Sequence, residues 1–465
     1  MSVRLEQAIA AMRGATRETS RLPAALRVCT DTRVLEPGDT FLALHGERFD
    51  GHAFVRDAFA AGAVAAVVSE GAALPDGAPG FIVEDTTRAY MALAGAARRA
   101  LSTRVVAVTG SAGKTTTTSL IGQLASRAGL GKVVATPGNE NNEIGVSKLL
   151  LGIESDADIA VIELGARRFG EIAMLAEIAV PNVAVLTNIG EAHLEIMGSR
   201  ERLAETKFGI FFGDARPILN MFDTDSRERA SSLRNAPYWF AYAPLPSMSS
   251  ALSAQRSFPV KKERTTMIIG RKFVMFGERR LEAQIALPGE HNLANLAAAV
   301  AAVSALGASD EAIVAGFPDL TLPPRRYERL RVGGIDIIFD AYNASMSGTI
   351  ATLGSFSREP ALRRIAVLSG MAELGEESPA MHERVGEAAA RSGLHRLLLG
   401  GHFADDLERG ARAGGLGAEE IVRFGRNEEA AAWLRANTRP GDMVLLKGSR
   451  MYRLEEILEE LSGKA

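Results

Sequence analysis

Cysteine is almost missing from this chain. Of 465 residues only Cys29 carries a thiol, so no internal disulfide can staple the fold. Flanked by Val28 and Thr30, Cys29 reads as a small buried side chain. An excess of positive charge is missing too. A net charge of -3 and a pI near 6.2 exclude a broad basic face for nucleic acid or anionic lipid and leave room only for a local pocket suited to phosphates. No apolar run approaches the ~18 residues that a membrane-spanning helix needs, so no membrane insertion is expected. The first residues, Met1-Ser2-Val3-Arg4-Leu5-Glu6-Gln7, include an acidic side chain and no long apolar stretch, so a reducing, cytoplasmic location is expected. There is no low-complexity segment and no short-period repeat. With 47 % hydrophobic and 23 % charged residues, the chain reads as a soluble globular protein, long enough for roughly three domains.

The most informative stretch is Val105-Val106-Ala107-Val108-Thr109-Gly110-Ser111-Ala112-Gly113-Lys114-Thr115-Thr116. An apolar, β-like run stops at a glycine-rich turn and continues into Lys-Thr-Thr. Backbone N–H groups of such a turn, freed by Gly110 and Gly113, can point at a polyphosphate on the N-terminus of a helix that starts near Lys114. Lys114 would reach the terminal phosphates and the Thr115 hydroxyl would ligate Mg²⁺. The general G-x-x-x-x-G-K-[ST] spacing is not met, because its first glycine position holds Val108. A hydride-transferring dinucleotide site is disfavoured by the Lys-Thr-Thr ending.

Alternating apolar runs and helical patterns extend along the chain. Before residue 100, Phe41–Leu44, Ala65–Val68 and Phe81–Val83 read as strands, and Ala53–Ala61 and Thr87–Ala100 as helices. Beyond it, Ile159–Leu164, Val183–Asn188 and Pro217–Asn220 are aliphatic runs separated by helical stretches, which predicts a mostly parallel sheet. Thr265–Leu287 reads as a hairpin turning at Gly277-Glu278, followed by an Ala-rich helix over His291–Leu306. After Pro323-Pro324, the runs Ile335–Phe339, Ile365–Leu368, Arg396–Leu399 and Met443–Leu446 begin a third α/β region. The expected organisation is three units: 1–100, 101–324 and 325–465.

Polar residues cluster at the C-terminal ends of these strands, where open α/β sheets bind ligands. Glu163 is placed to ligate a metal beside the phosphate loop, and His193 follows the next strand, where a second ligand would sit. Asn139, Asn141 and Asn142 form an amide cluster that fits either turn chemistry or donors to a polar substrate, and both readings stay open.

Eight ordered stretches resemble the Mur ligase family, the ATP-dependent amide-forming enzymes of peptidoglycan synthesis. They are Thr109–Thr116, Gly138–Gly145, Glu163-Leu-Gly-Ala, Ala192-His-Leu-Glu195 with Gly198-Ser199, Gly289–Asn295, Asp340-Ala-Tyr-Asn343, Met371–Gly375 and Lys447-Gly-Ser-Arg450. Asp31-Thr32-Arg33, Pro37-Gly38 and Asp50-Gly51-His52 extend the resemblance into the N-terminal region. Within the family the chain is most similar to members that join D-alanyl-D-alanine to UDP-N-acetylmuramoyl-tripeptide. The resemblance implies a small N-terminal α/β domain for the uridine-linked substrate, a central P-loop ATPase-like domain and a Rossmann-like C-terminal domain for the amino substrate. It implies ATP and two Mg²⁺ ions, held by Thr115, Glu163, His193 and a carbamylated Lys207. From its own neighbours Lys207 is an ordinary helix-surface lysine. Catalysis is then expected from Lys114, His193 and Lys207. ATP would bind Gly110, Ser111, Ala112, Gly113, Lys114, Thr115, Thr116, Asn295, Arg326 and Asp340, and the other substrates Thr32, Arg33, Asn139, Asn142, Asn343, Lys447 and Arg450. His291 and Asn292 are expected to start a helix. The partners are small molecules, without nucleic acid, and a monomer is expected.

The C-terminal region departs from the family stretch Asp-Asp-Ser-Tyr-Asn-Ala-Asn-Pro-x-Ser-Met. This chain has Phe339-Asp340-Ala341-Tyr342-Asn343-Ala344-Ser345-Met346-Ser347, and Ser369-Gly370-Met371 lacks the usual Asp. A family member that joins another amine to another carboxylate is therefore the competing enzyme reading. A nucleotide-binding regulator without ligase activity is disfavoured, since Lys114, Thr115, Glu163, His193 and Lys207 are all present.

Overall fold

A computed structural model describes residues 3–46, 49–191, 194–243 and 265–463. Its largest sheet runs, in spatial order, Val133–Ala135, Ile159–Glu163, Arg104–Thr109, Val183–Leu186, Arg216–Asn220, Tyr238–Tyr242, Thr266–Gly270, Phe273–Phe276 and Arg279–Glu282. The first seven strands are parallel and the last two pairings are antiparallel. Arg104–Thr109 lies between strands whose crossovers lead to opposite sides of the sheet. Its C-terminal end is therefore the switch point where such sheets open a crevice.

The period-2 alternation of a strand distributes this sheet's side chains between two cores. Val106, Val108, Val161 and Val185 face the helices Lys114–Arg127 and Asn292–Ala305, among Leu120, Leu124, Leu296 and Val300. Val105, Ala107, Ala160 and Ile162 face the other way, toward Leu93, Val146, Leu150 and Leu175. The Asn292–Ala305 helix is apolar around most of its circumference because the sheet and the phosphate-loop helix bury it from two sides.

A second parallel sheet, Ala15–Arg17, Gly80–Ile82, Ala65–Val68, Thr40–Leu42 and Val28–Cys29, has one antiparallel edge pair. A third runs Glu328–Val332, Ile335–Asp340, Met443–Lys447, Arg364–Leu368, Arg396–Leu399 and Ile421–Arg423, again parallel apart from its first pair. The architecture is mixed α/β with a mostly parallel central sheet. Among the described residues, no helix is long and apolar enough to cross a membrane.

Several elements differ from their sequence reading. The expected hairpin is a three-strand meander, because the chain also turns at Arg271-Lys272. The strand expected through Asn188 stops at Leu186, which frees Thr187 and Asn188 to bond the phosphate loop. The strand expected through Leu44 ends at Leu42, where Gly51 donates back to the Leu44 carbonyl at 2.8 Å. The expected helix Ala53–Ala61 opens as a 3₁₀ turn over Gly51–Phe54 before the α-helix Val55–Ala60.

Arg98 joins the helix Thr86–Arg99 to the central sheet. Its guanidinium is buried and donates to the carbonyls of Ala179 at 2.8 Å and Val180 at 3.0 Å, at the end of the helix Glu171–Ala179. Those carbonyls have no helical partner of their own. Arg98→Ala would orphan them and should cost about 2–4 kcal/mol of stability, measured by urea unfolding. A loss under about 0.5 kcal/mol would mean that water replaces the arginine.

Candidate active site

Gly110 and Gly113 adopt φ of 148° and 81°. A side chain at Gly110 would collide with the Thr187 hydroxyl, and one at Gly113 with the Asn295 amide. Glycine thus lets two neighbouring segments close on the loop, which caps the helix Lys114–Arg127. Asn188 holds Ala112 from both sides, its Oδ1 accepting the Ala112 N–H at 3.0 Å and its Nδ2 donating to the Ala112 carbonyl at 3.1 Å. The Thr187 hydroxyl donates to that carbonyl at 2.6 Å. The Ser111 hydroxyl accepts the Gly190 N–H at 2.9 Å. The loop is therefore rigid before any ligand arrives.

Lys114 folds back onto the Gly110 carbonyl at 2.9 Å, and burial lowers its pKa. The loop opens onto a cleft of about 930 Å³ that takes walls from both the central and the C-terminal sheets. Glu163 ends its strand there and is 2 % exposed. Its Oε1 accepts from Asn141 Nδ2 at 2.6 Å, while Oε2 is buried without a partner. Lys207, in the helix Arg200–Phe208, is fully buried, and its ammonium also lacks a partner. Burial first, and repulsion from Lys114 second, bring its pKa down to about 7. A buried carboxylate oxygen and a buried amine that feel each other's charge, each without a hydrogen-bond partner, are costly unless something else joins them. The Thr115 hydroxyl, the spare oxygen of Glu163 and the oxygens that a carbamate would add at Lys207 are hard donors, so the site fits Mg²⁺.

From the C-terminal side, Arg326 reaches over the cleft. It donates to the Thr115 hydroxyl at 3.3 Å and lies over the Tyr342 ring at 4.1 Å. Burial lowers its pKa, with Asp340 and Glu163 opposing. Asp340 accepts from Thr352 at 2.7 Å and pairs with Lys447 at 3.3 Å, and Lys447 also donates to the Asn343 carbonyl at 2.6 Å. Asn295 bonds Asn292 at 2.9 Å and accepts from Thr117 at 3.4 Å.

The cleft thus brings together Ser111, Ala112, Gly113, Lys114, Thr115, Thr116, Glu163, Asn139, Asn142, Asn295, Arg326, Asp340, Asn343 and Lys447. Gly110 supports it from behind. Other expected residues lie elsewhere. Thr32 and Arg33 are outside it, Arg33 being exposed and paired with Asp31 at 2.6 Å. Arg450 is exposed and reaches the cleft only through the Tyr342 ring, at 5.7 Å. Lys207 is not on a helix surface, because the helix packs that face against the core. Asn142 spends its side chain on capping the helix Glu143–Gly152, accepting the Gly145 N–H at 2.9 Å. His193 lies outside the described residues. The sequence reading passed over Asn141 as a partner of Glu163 and Tyr342 as a platform for Arg326. Both stand inside motifs already singled out.

Among the described residues, the only His/Cys/Asp/Glu cluster with metal-like spacing is His45, Asp50 and His52. Its geometry is structural. His52 Nε2 accepts the Ser69 N–H at 2.9 Å, so its Nδ1 carries the proton and faces Asp50 at 2.6 Å. Both ring nitrogens are spent.

His291 precedes the helix Asn292–Ala305, packs edge-on against Tyr327 at 5.2 Å and is held neutral by burial, with its pKa down to about 4. Asp340 raises it, while Lys447 and Arg271 lower it. The unfolded chain binds the proton first, so this residue's contribution to stability is lost as pH falls from ~6.5 toward 4. His291→Gln, which does not titrate, should lose roughly 2–3 kcal/mol less than the parent over that interval. Parallel pH–stability curves for the two proteins would contradict the buried neutral imidazole.

Three family models match in order along the chain: "Mur ligase family, catalytic domain" over residues 27–103, "Mur ligase middle domain" over 108–303 and "Mur ligase, glutamate ligase domain" over 325–450. The UDP-N-acetylmuramoyl-tripeptide–D-alanyl-D-alanine ligase of Synechocystis is 34 % identical, covering 93 % of this chain and 91 % of its own. The Escherichia coli enzyme of that name is 35 % identical, covering 93 % of each. MurF from Acinetobacter baumannii superposes with a TM-score of 0.84 at 28 % identity, over 100 % of this chain and 99 % of its own. MurF from Thermotoga maritima, solved with ADP, gives 0.77 at 29 % identity over 95 % and 99 %. Taken with a cleft built around a phosphate loop, these matches show that the chain belongs to the Mur ligase family.

Proposed function

We propose that this chain joins D-alanyl-D-alanine to UDP-N-acetylmuramoyl-tripeptide with hydrolysis of ATP, in the synthesis of peptidoglycan precursors. One observation carries the reading: a preformed phosphate loop shares its cleft with an unpartnered Glu163 oxygen and with cations supplied by the C-terminal sheet. Relatives matched over nine-tenths of their length act on these substrates by name, and one solved relative holds ADP.

The carboxylate of the tripeptide attacks the γ-phosphorus, the bond to the bridging oxygen breaks, and ADP leaves. The amine of the dipeptide then attacks the acyl carbon, phosphate departs, and the amine loses a proton. Negative charge accumulates on oxygen at each step, so cations rather than a protein nucleophile do the stabilising. Lys114 and the loop amides hold the β and γ phosphates. Arg326 sits where it can neutralise them from the opposite wall, and Asp340 with Lys447 fixes that wall. Mg²⁺, held by Thr115 and Glu163 with a second ion at His193 and a carbamylated Lys207, would supply Lewis-acid stabilisation of the transferring phosphoryl group. A buried, unpartnered Lys207 amine whose pKa falls to about 7 suits carbamate formation.

The three units fall at 1–100, 101–324 and 325–465. Thr32 and Arg33 belong to the uridine-substrate unit, and Asn139, Asn142, Asn343, Lys447 and Arg450 serve the peptide substrates. A second reading, a different acceptor amine, is favoured by Ser345-Met346-Ser347 in place of the family's Asn-Pro sequence, where the buried hydroxyls of Tyr342 and Ser347 have no partner.

Phosphate release from ATP and Mg²⁺ with UDP-N-acetylmuramoyl-tripeptide should depend on D-alanyl-D-alanine over a panel of amino acids and other dipeptides. Turnover only with another amine would move the chain to the second reading. Lys114→Ala should lower kcat by about 10²- to 10³-fold with the unfolding temperature kept. Retained turnover would remove the phosphate-loop assignment. Lys207→Ala should lose activity that small carboxylic acids restore in part and bicarbonate does not. Full activity in that variant would exclude the carbamate.

A further inference from the structure

Ser355 lies on the last turn of the C-terminal helix Met346–Phe356, yet its hydroxyl is spent entirely on the central domain. The side chain is buried. Its Oγ accepts the N–H of Glu290 at 3.0 Å and of His291 at 3.3 Å, and its proton faces His291 Nδ1 at 2.9 Å. Two acceptances and one donation exhaust a hydroxyl. The neutral imidazole is the one form that can take that proton. Arg358, three residues on, pairs with Glu290 beside it.

The segment gripped in this way starts the Asn292–Ala305 helix, whose Asn295, held by Asn292, stands against Gly113 of the phosphate loop and Thr117 of the helix that follows it. Thr352, three residues before Ser355 and so on the same helix face, donates to Asp340 at 2.7 Å. A single helix face therefore ties the Asp340–Lys447 wall to the element that supports the phosphate loop. Beside it stand the half-exposed ion pair of Arg358 with Glu290 and the longer hydrogen bond from Arg326 to Thr115.

We propose that Ser355 is a positioning residue for ligation: its hydroxyl locks the C-terminal domain to the loop-supporting helix, and the C-terminal half of the ATP site is complete only when this lock is made. The proposal rests on the ligase reading for its kinetic consequence, though not for the lock itself. If the lock sets the fraction of molecules with a complete ATP site, losing it weakens apparent ATP affinity by that fraction and leaves chemistry at saturation largely intact.

The experiment compares the full-length parent, Ser355→Ala and, as a control, Ser392→Ala, whose buried hydroxyl donates to the Ala388 carbonyl in the last turn of the helix Ser378–Ala390 just before it. Steady-state phosphate release gives KM and kcat, and small-angle X-ray scattering without nucleotide, well below the unfolding temperature, gives the radius of gyration. Ser355→Ala should raise KM for ATP about 5- to 10-fold, with kcat within about twofold and KM for the UDP-linked substrate unchanged. Its radius of gyration should exceed the parent's and return on adding ADP. An unchanged radius overturns the lock, whatever the activity. A larger radius with an unchanged KM for ATP overturns the positioning role. Equal effects from Ser392→Ala reduce both to general destabilisation. A parent that turns over no ATP overturns the ligase reading, while scattering still decides the lock.

Discussion

Two glycines without side chains make the cleft. At Gly110 and Gly113 the backbone takes conformations that L side chains rarely adopt, and at both positions a Cβ would meet a neighbour's polar side chain. Because nothing is there, Thr187 and Asn188 fix the loop with side-chain hydrogen bonds and Asn295 closes on it while bonding Thr117 of the helix behind. The strand before the loop can be buried on both faces because its carbonyls and N–H groups pair with Ile159–Glu163 and Val183–Leu186. The helix after it can start abruptly because the loop itself is its cap. An alanine at Gly110 would push away the segment that carries Thr187 and Asn188, and one at Gly113 the Asn292–Ala305 helix. The switch point of the sheet, the anion site and the interdomain contact are thus one local geometry seen at three scales.

What the loop organises is an excess of desolvation. Lys114, Lys207, Arg326 and Lys447 are all pushed toward lower pKa by burial. Their carboxylate partners compensate only in part: Glu163 keeps one oxygen unpaired, and Asp340 is shared between Thr352, Tyr327 and Lys447. A protein that buries cations without matching anions is less stable than it could be. A polyphosphate with its metal ions repairs the mismatch, so the same groups that weaken the empty fold favour a ligand carrying several negative charges. Lys207 belongs to the same imbalance: burial, more than any neighbouring charge, brings its amine from the ordinary lysine range down to about 7.

Much of this was legible in the residues, and the limits have physical causes. Short-range signals read well. The run Val105–Val108 before Gly110, the helix after Lys114, and Glu163 at a strand end depend on period and on turn chemistry within a few positions. The Pro323-Pro324 break and the Ala-rich helix are of the same kind. Readings that depend on what lies opposite did not come through. Lys207 looks solvent-facing in Glu205-Thr206-Lys207-Phe208, since its burial comes from the core its helix packs against. Val133–Ala135 is too short to show a period, and Glu328–Val332 alternates apolar and charged residues only across a sheet edge. Tyr238–Tyr242 was the avoidable omission, because five consecutive aromatic or small apolar residues are a strand signal in themselves. Among the asparagines, sequence could not tell which one caps a helix and which one reaches Glu163.

Ser355 marks the far end of that limit. No motif contains it, and serine near a helix C-terminus is unremarkable as a sequence feature. Its role exists only because a turn 64 residues earlier presents two N–H groups and a neutral imidazole to one buried oxygen. Of the departures in this stretch, Ser345 lines the cleft while Ala341 and Met346 pack into the cores on either side of the C-terminal sheet, and Thr352 and Ser355 on the following helix keep the cleft's two walls in register. Domain registration is therefore carried by the last turns of this helix, which cannot vary without moving Asp340 away from the phosphate loop, whereas Ser345 at its start caps the helix through its own hydroxyl and takes no part in the link.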